Sequence, residues 1–97
     1  MKKGDILVSS WGYEQTNINF YEVVKATAKT VLLVALRSER HKNDFLQYYA
    51  MPILGSGFGT PFRRKIIEYG SEPFCNISSF ESARLWKGKP EEGTSYA

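Results

Sequence analysis

Phe20-Tyr21-Glu22-Val23-Val24-Lys25-Ala26-Thr27-Ala28-Lys29-Thr30-Val31-Leu32-Leu33-Val34-Ala35-Leu36-Arg37-Ser38 is the stretch on which the fold turns. Residues 20–27 alternate as a half-buried strand does, with Tyr21 and Val23 on one face and Phe20, Val24 and Ala26 on the other. Ala28 and Lys29 break the pattern. Residues 30–38 are then apolar on both faces, Leu32, Val34 and Leu36 on one and Val31, Leu33 and Ala35 on the other. A strand covered on both sides reads this way. Two such runs across a tight turn predict a β-hairpin whose second strand is central in its sheet.

Outward from the hairpin the same period continues. Residues 3–10 read as a first strand opened by Gly4-Asp5. Residues 39–44 are charged and solvated, and residues 45–53 resume an apolar pattern. Pro52 has no backbone N–H to give a ladder, so this strand lies at an edge or ends there. Residues 55–61, Gly-Ser-Gly-Phe-Gly-Thr-Pro, read as a hairpin connection. In residues 62–69 Arg63, Lys65, Ile67 and Tyr69 oppose Phe62, Arg64, Ile66 and Glu68. Arg64 thus competes for the core face unless it pairs with Glu68 or turns its head outward along an apolar stem. Gly70-Ser71-Glu72-Pro73 is a turn, and residues 74–78 read as a short strand. Residues 79–86 are ambiguous. Phe80, Ala83 and Trp86 fall at helical spacing, Ser78 or Ser79 suits an N-cap, and Glu81 would lie in the first turn, where an acid is favoured. A turn or two of helix is allowed there.

Five or six short strands with turns about every ten residues predict an all-β domain, either a small SH3-like barrel or a strongly curved antiparallel sheet, with an OB-like barrel as the alternative. The 97 residues suit a single domain with residues 87–97 as a loose polar tail. The single cysteine, Cys75, excludes an intramolecular disulfide and any multi-cysteine metal site. The run Ile6-Leu7-Val8 is too short for a signal core, so a reducing, cytoplasmic setting is expected. Val31 to Leu36 has the length of a strand and not of a membrane span.

The connection Ser10-Trp11-Gly12-Tyr13-Glu14-Gln15-Thr16-Asn17 is chemically richer than a turn needs. Trp11 and Tyr13 flank a glycine, and Gln15, Thr16 and Asn17 both donate and accept hydrogen bonds. Aromatics that stack and amides that read base edges suit single-stranded nucleic acid. The same residues suit a protein interface, in which Trp and Tyr act as anchors. They also suit plain structure, with Trp11 as a core keystone and Thr16 and Asn17 closing the turn. The net charge of +3 permits nucleic acid without requiring it. Arg37 and Arg40, with His41 and Lys42, form one basic cluster, and Arg63, Arg64 and Lys65 another. The glycine loop lacks the Gly-Lys-Ser/Thr ending of a phosphate loop. One histidine, His41, and Cys75 make neither a zinc site nor a local nucleophile–base pair. No catalytic set is expected, and no cofactor.

The run from Ser10 to Asn17, then Phe20-Tyr21-Glu22-Val23-Val24, then Leu85-Trp86-Lys87-Gly88-Lys89-Pro90 and Ser95-Tyr96 resembles a family of small uncharacterised proteins encoded by phages, plasmids and other mobile elements. The resemblance implies a mobile-element origin and carries no activity with it. Its two motifs suggest that Trp11 and Trp86 share one aromatic face. The expectation is a non-enzymatic binding module that touches single-stranded DNA or RNA. Trp11, Tyr13, Gln15, Thr16, Asn17 and Trp86 would form its aromatic and amide surface, and Arg37, Arg40, Arg63 and Lys65 would meet phosphates. The alternative partner is a host protein, bound and inhibited by the same aromatics as an anti-defence factor would do. No membrane contact is expected.

Overall fold

The structure, a computed structural model, describes residues 1–12, 15–42 and 46–94. The deciding turn closes on hydroxyls. Thr27 Oγ1 accepts the backbone N–H of Thr30 at 3.0 Å and that of Lys29 at 3.3 Å, while the Thr27 N–H donates to the Thr30 carbonyl at 2.8 Å. Side-chain oxygens that bond the backbone a few residues on stabilise such turns. The turn joins β2 (Asn17–Ala26) to β3 (Thr30–Leu36) as an antiparallel pair. The period slips once. Val23 faces Leu33 but Lys25 faces Leu32, so Val24 is an extra residue on β2. A bulge of this kind reverses the alternation beyond it. Ala26, expected opposite Tyr21 and Val23, accordingly packs on their side.

β3 lies between β2 and β6 (Phe58–Lys65), as its two apolar faces predict, and β6 starts inside the stretch read as a glycine loop. β1 (Ile6–Trp11) pairs with the other side of β2. β7 (Phe74–Ser78) and β8 (Glu81–Leu85) complete a six-stranded antiparallel sheet of order β6-β3-β2-β1-β8-β7. The sheet curls into a half-barrel, consistent with the small barrel expected, and its edge strands β6 and β7 meet without forming a ladder. Ile67 and Phe74 exchange backbone hydrogen bonds of 2.8 and 3.0 Å. Arg64 donates to the Ile77 carbonyl from Nε at 3.2 Å and Nη2 at 3.0 Å. Its guanidinium also lies 4.7 Å from the centre of the Phe62 ring. The competition for the core face thus resolves by the head turning to the seam.

The remaining strands, β4 (Ser38–Lys42), β5 (Gln47–Pro52) and β9 (Glu91–Thr94), form a second sheet of order β4-β5-β9. Pro52 ends the central strand of this sheet. The second sheet covers the outer face of β1 to β3 around Val8, Ile18, Phe20 and Leu36 and leaves the far end of β2, at Lys25, exposed. Inside the curl, Leu7, Tyr21, Val23, Val31, Leu33, Ile66, Cys75 and Ala83 form one core. Between the sheets, Val8, Ile18, Phe20, Leu36, Tyr48 and Ala50 form the other. Each fully buried large side chain stabilises by about 1.5–3 kcal/mol.

Two expectations are corrected. Residues 79–86 are not helical: Glu81 and Ala83 are buried and Ser82 and Arg84 exposed, a period of two imposed by pairing with β1 and β7. Pairing on both sides outweighs weak helical spacing. The polar tail is not loose through residue 94, because β9 pairs with β5 and the Thr94 N–H donates to the Thr16 carbonyl at 3.1 Å. Gly93 lies so close to the Tyr48 ring that a Cβ would collide with it.

Candidate functional site

The register sets the end of β1, the start of β2 and the start of β8 at one end of the curl. Trp11 follows Leu7 and Ser9 on the face turned inward. It is half-buried, with its ring tilted 58° against Phe80 and centroids 5.2 Å apart. Phe80, on the β7–β8 turn, is 66% exposed. The indole Nε1 is enclosed and has no hydrogen-bond partner among the described residues. Gly12 turns the chain beyond Trp11 at φ +134°, where a Cβ would strike the Gln15 carbonyl. Gln15 is exposed and donates from Nε2 to Asn17 Oδ1 at 3.2 Å. Thr16 is structural: its N–H donates to Thr94 Oγ1 at 2.9 Å and its carbonyl accepts from Tyr48 Oη at 3.0 Å. Tyr13 lies outside the described residues.

Beneath Trp11 the curl's interior is polar. Glu81 is only 7% exposed, and its Oε2 accepts from three side chains. They are Ser9 Oγ, Tyr21 Oη at 2.6 Å and Asn19 Nδ2 at 3.2 Å. Burial, then the hydrogen bond to Glu81 and its charge, push the Tyr21 phenol above its ordinary value of 10.0. The sequence allowed Glu81 a place in the first turn of a short helix and did not disclose this network. The alternation Glu81, Ala83, Leu85 was the available signal.

Trp86 does not share a face with Trp11. It sits at the other end of β8, where its N–H donates to the Ile6 carbonyl at 2.8 Å. Its ring packs edge-on against Phe20 in the inter-sheet core, with centroids 5.9 Å apart, and Nε1 donates to the Lys89 carbonyl at 2.7 Å. Opposite strand ends and opposite sheet faces separate the two indoles, and Trp86 is a structural residue.

The basic residues fall into three places. Arg37, just past β3, has its guanidinium 5.1 Å from the Phe58 ring centre, and Arg40 on β4 lies 4.7 Å from that of Tyr48. Arg63 and Lys65 are exposed on the outer face of β6. The register sets Lys25, Leu32 and Arg63 side by side on three adjacent strands, and Lys65 opposite Thr30 in the next row. Neighbouring strands are spaced about 4.8 Å apart, so Lys25 and Arg63 arise roughly 10 Å apart across Leu32. Lys29, exposed in the turn, flanks the row. Among the described residues, ion pairs join Glu91 to Arg84 and Glu72 to Lys87, Glu39 lies 3.7 Å from His41, and no carboxylate engages Lys25, Lys29, Arg63 or Lys65. The expected union of the aromatic loop with Arg63 and Lys65 does not occur, because β6 turns those cations outward while Trp11 points into the curl.

Cys75 is buried, its Sγ 3.7 Å from Met1 Sδ, and burial pushes its thiol above the usual range. Among the described residues no group of His, Cys, Asp or Glu is placed to hold a metal ion, and no helix is long and apolar enough to cross a membrane. No family model matches the chain, and no curated protein or solved structure matches it.

Proposed function

We propose that the chain is a small binding module that contacts the phosphate backbone of nucleic acid through the outer face of β2, β3 and β6. The observation that carries this reading is the row Lys25–Leu32–Arg63 with Lys65 and Lys29 beside it, cations that no carboxylate neutralises among the described residues. Clustered, unpaired Lys and Arg on one face of a sheet are the electrostatic footprint of phosphate contact. Glu22, one row along on β2, is the nearest acid in the register and sets an edge to the patch. A mobile-element origin rests on the sequence resemblance, and a reducing cytoplasmic setting on the single cysteine. Binding, and not turnover, is the activity proposed.

Three or four phosphate contacts predict a slope of log affinity against log salt of about −2 to −4. Fluorescence-anisotropy titration of a labelled oligonucleotide at several salt concentrations measures it. Each of Lys25→Ala, Arg63→Ala and Lys65→Ala should reduce the slope by about one unit. A flat salt dependence, or a slope that all three variants leave intact, overturns the reading.

A protein partner is the second reading, favoured by the exposed Phe80 ring against Trp11. An exposed aromatic backed by a second ring suits an interface anchor. Under that reading Phe80→Ala weakens binding and Arg63→Ala does not.

A further inference from the structure

Beyond the end of β6 lies a groove of about 480 Å³ between the 69–73 turn and the outer face of β7 and β8. Tyr69, Pro73 and Phe74 supply its apolar wall and Ser82, Arg84 and Glu72 its polar one. Tyr69 is 81% exposed, the most exposed of the large hydrophobic side chains described. A ring that free contributes nothing to the core and offers a flat face to a ligand. Phe74 stands opposite Arg84 in the β7–β8 register, which sets a guanidinium, held by Glu91 at 3.0 Å, beside the groove. The one carboxylate in the wall, Glu72, is paired with Lys87, whose hydrogen bond and charge hold it below its ordinary value.

The groove adjoins the basic row. Ile67 bridges to Phe74 across the seam, and Lys65 precedes Ile67 by two residues. Two extended residues span at most about 7 Å, and bridged Cα atoms are about 5 Å apart. Lys65 and Phe74 therefore arise within about 12 Å of each other, on the same outer surface. A strand of nucleic acid with its phosphates on Lys25, Arg63 and Lys65 would run past the opening.

We infer that this groove takes one unstacked base of a single-stranded nucleic acid, held against the Tyr69 ring with Arg84 at its rim. The inference rests on the nucleic-acid reading above and deepens it, because a duplex keeps its bases stacked and has none to offer. Stacking on an exposed aromatic tolerates any base, so little sequence preference is expected.

The test is anisotropy titration of a labelled single-stranded DNA, the same sequence as RNA, and the DNA duplex, against the whole chain. Wild type should prefer a single strand, and the DNA and RNA arms identify which. Tyr69→Ala should weaken single-strand binding roughly 5- to 150-fold, the loss of one stacking contact, while Tyr69→Phe retains it. Neither variant should change the salt slope or duplex binding. Because Tyr69 is so exposed, both variants should keep the wild-type unfolding midpoint. If Tyr69→Ala binds single strands as wild type does, or the duplex binds as well as the single strand, the groove inference falls. The basic row then still stands if Arg63→Ala and Lys65→Ala lower the salt slope. If no oligonucleotide binds, both readings fall together.

Discussion

Glu81→Ala removes an acceptor that Ser9, Asn19 and Tyr21 share. Hydrogen bonds to a charged group stabilise by about 1.5–3 kcal/mol each, and a buried donor left without an acceptor costs about 1–3 kcal/mol. Ser9 and Tyr21 are buried with Glu81, while Asn19 is half-buried and can turn to water. Two stranded donors and one rescued by solvent place the loss at about 3–5 kcal/mol, a large share of the roughly 5–15 kcal/mol of a typical domain. Tyr21→Phe removes one donor and leaves the carboxylate two, so about 1.5–3 kcal/mol is expected. Glu81→Gln keeps an accepting oxygen without the charge and should fall between wild type and Glu81→Ala. Urea unfolding followed by tryptophan fluorescence gives the midpoints, compared at unchanged slope. The double variant Tyr21→Phe/Glu81→Ala should lose less than the sum of the singles, because the two changes break the same bond. Additive losses, or a Glu81→Ala cost below about 1 kcal/mol, would refute the shared-acceptor geometry.

The same network predicts a pH dependence. The folded state holds the Tyr21 proton more tightly than the unfolded chain does, so the contribution is whole below the ordinary value of 10.0 and is lost as pH rises above it. Unfolding midpoints between about pH 8 and 11 should therefore fall more steeply in wild type than in Tyr21→Phe, and equal slopes would count against a buried, carboxylate-bonded phenol. At the seam, Arg64→Ala removes both guanidinium bonds to the Ile77 carbonyl. It should cost about 1–3 kcal/mol and speed amide exchange at Ile67 and Phe74, with Arg64→Lys restoring little because an ammonium lacks the fork; unchanged exchange at those amides would mean that the seam does not depend on Arg64. Gly93→Ala drives a Cβ into the Tyr48 ring and should cost about 1–3 kcal/mol by the same urea assay, whereas a neutral result would place Tyr48 away from β9.

What the sequence disclosed and what it hid separate along a physical line. Period-two alternation is local, so the β2–β3 hairpin and the interior position of β3 follow from residues 20–38 alone. A bulge costs one residue and leaves no compositional mark, so the reversal at Val24 and the inward side of Ala26 did not follow. Residues 79–86 satisfied two periods at once, and only pairing with β1 and β7 chose between them. β9 was hidden because Glu91, Glu92 and Gly93 are residue types depleted in strands; the near approach of Tyr48 that requires Gly93 is a tertiary fact.

The candidate sites divide on the same line. Arg63 and Lys65 are visible as a pair because they are two residues apart on a strand. Lys25 and Lys29 join them only through the register across β2, β3 and β6, which no single segment encodes. Trp11 and Trp86 look like partners in a linear motif, yet β1 and β8 run antiparallel and carry them to opposite ends. That geometry explains how one chain can present two unlike surfaces: Trp11 with Phe80 at the end of the curl, and a cationic row outside it. Of the two, the cationic row is the less costly to maintain, since exposed Lys and Arg need no partner to be soluble, whereas the enclosed Trp11 N–H has no acceptor among the described residues. The row is therefore the stronger sign of a ligand and of that ligand's charge, since its cations are exposed and no ion pair engages them among the described residues. Charge reversal in the row, Arg63→Glu with Lys65→Glu, therefore separates the two surfaces: it should abolish oligonucleotide binding while leaving any Phe80-dependent protein contact untouched, and loss of both would mean that they form a single interface.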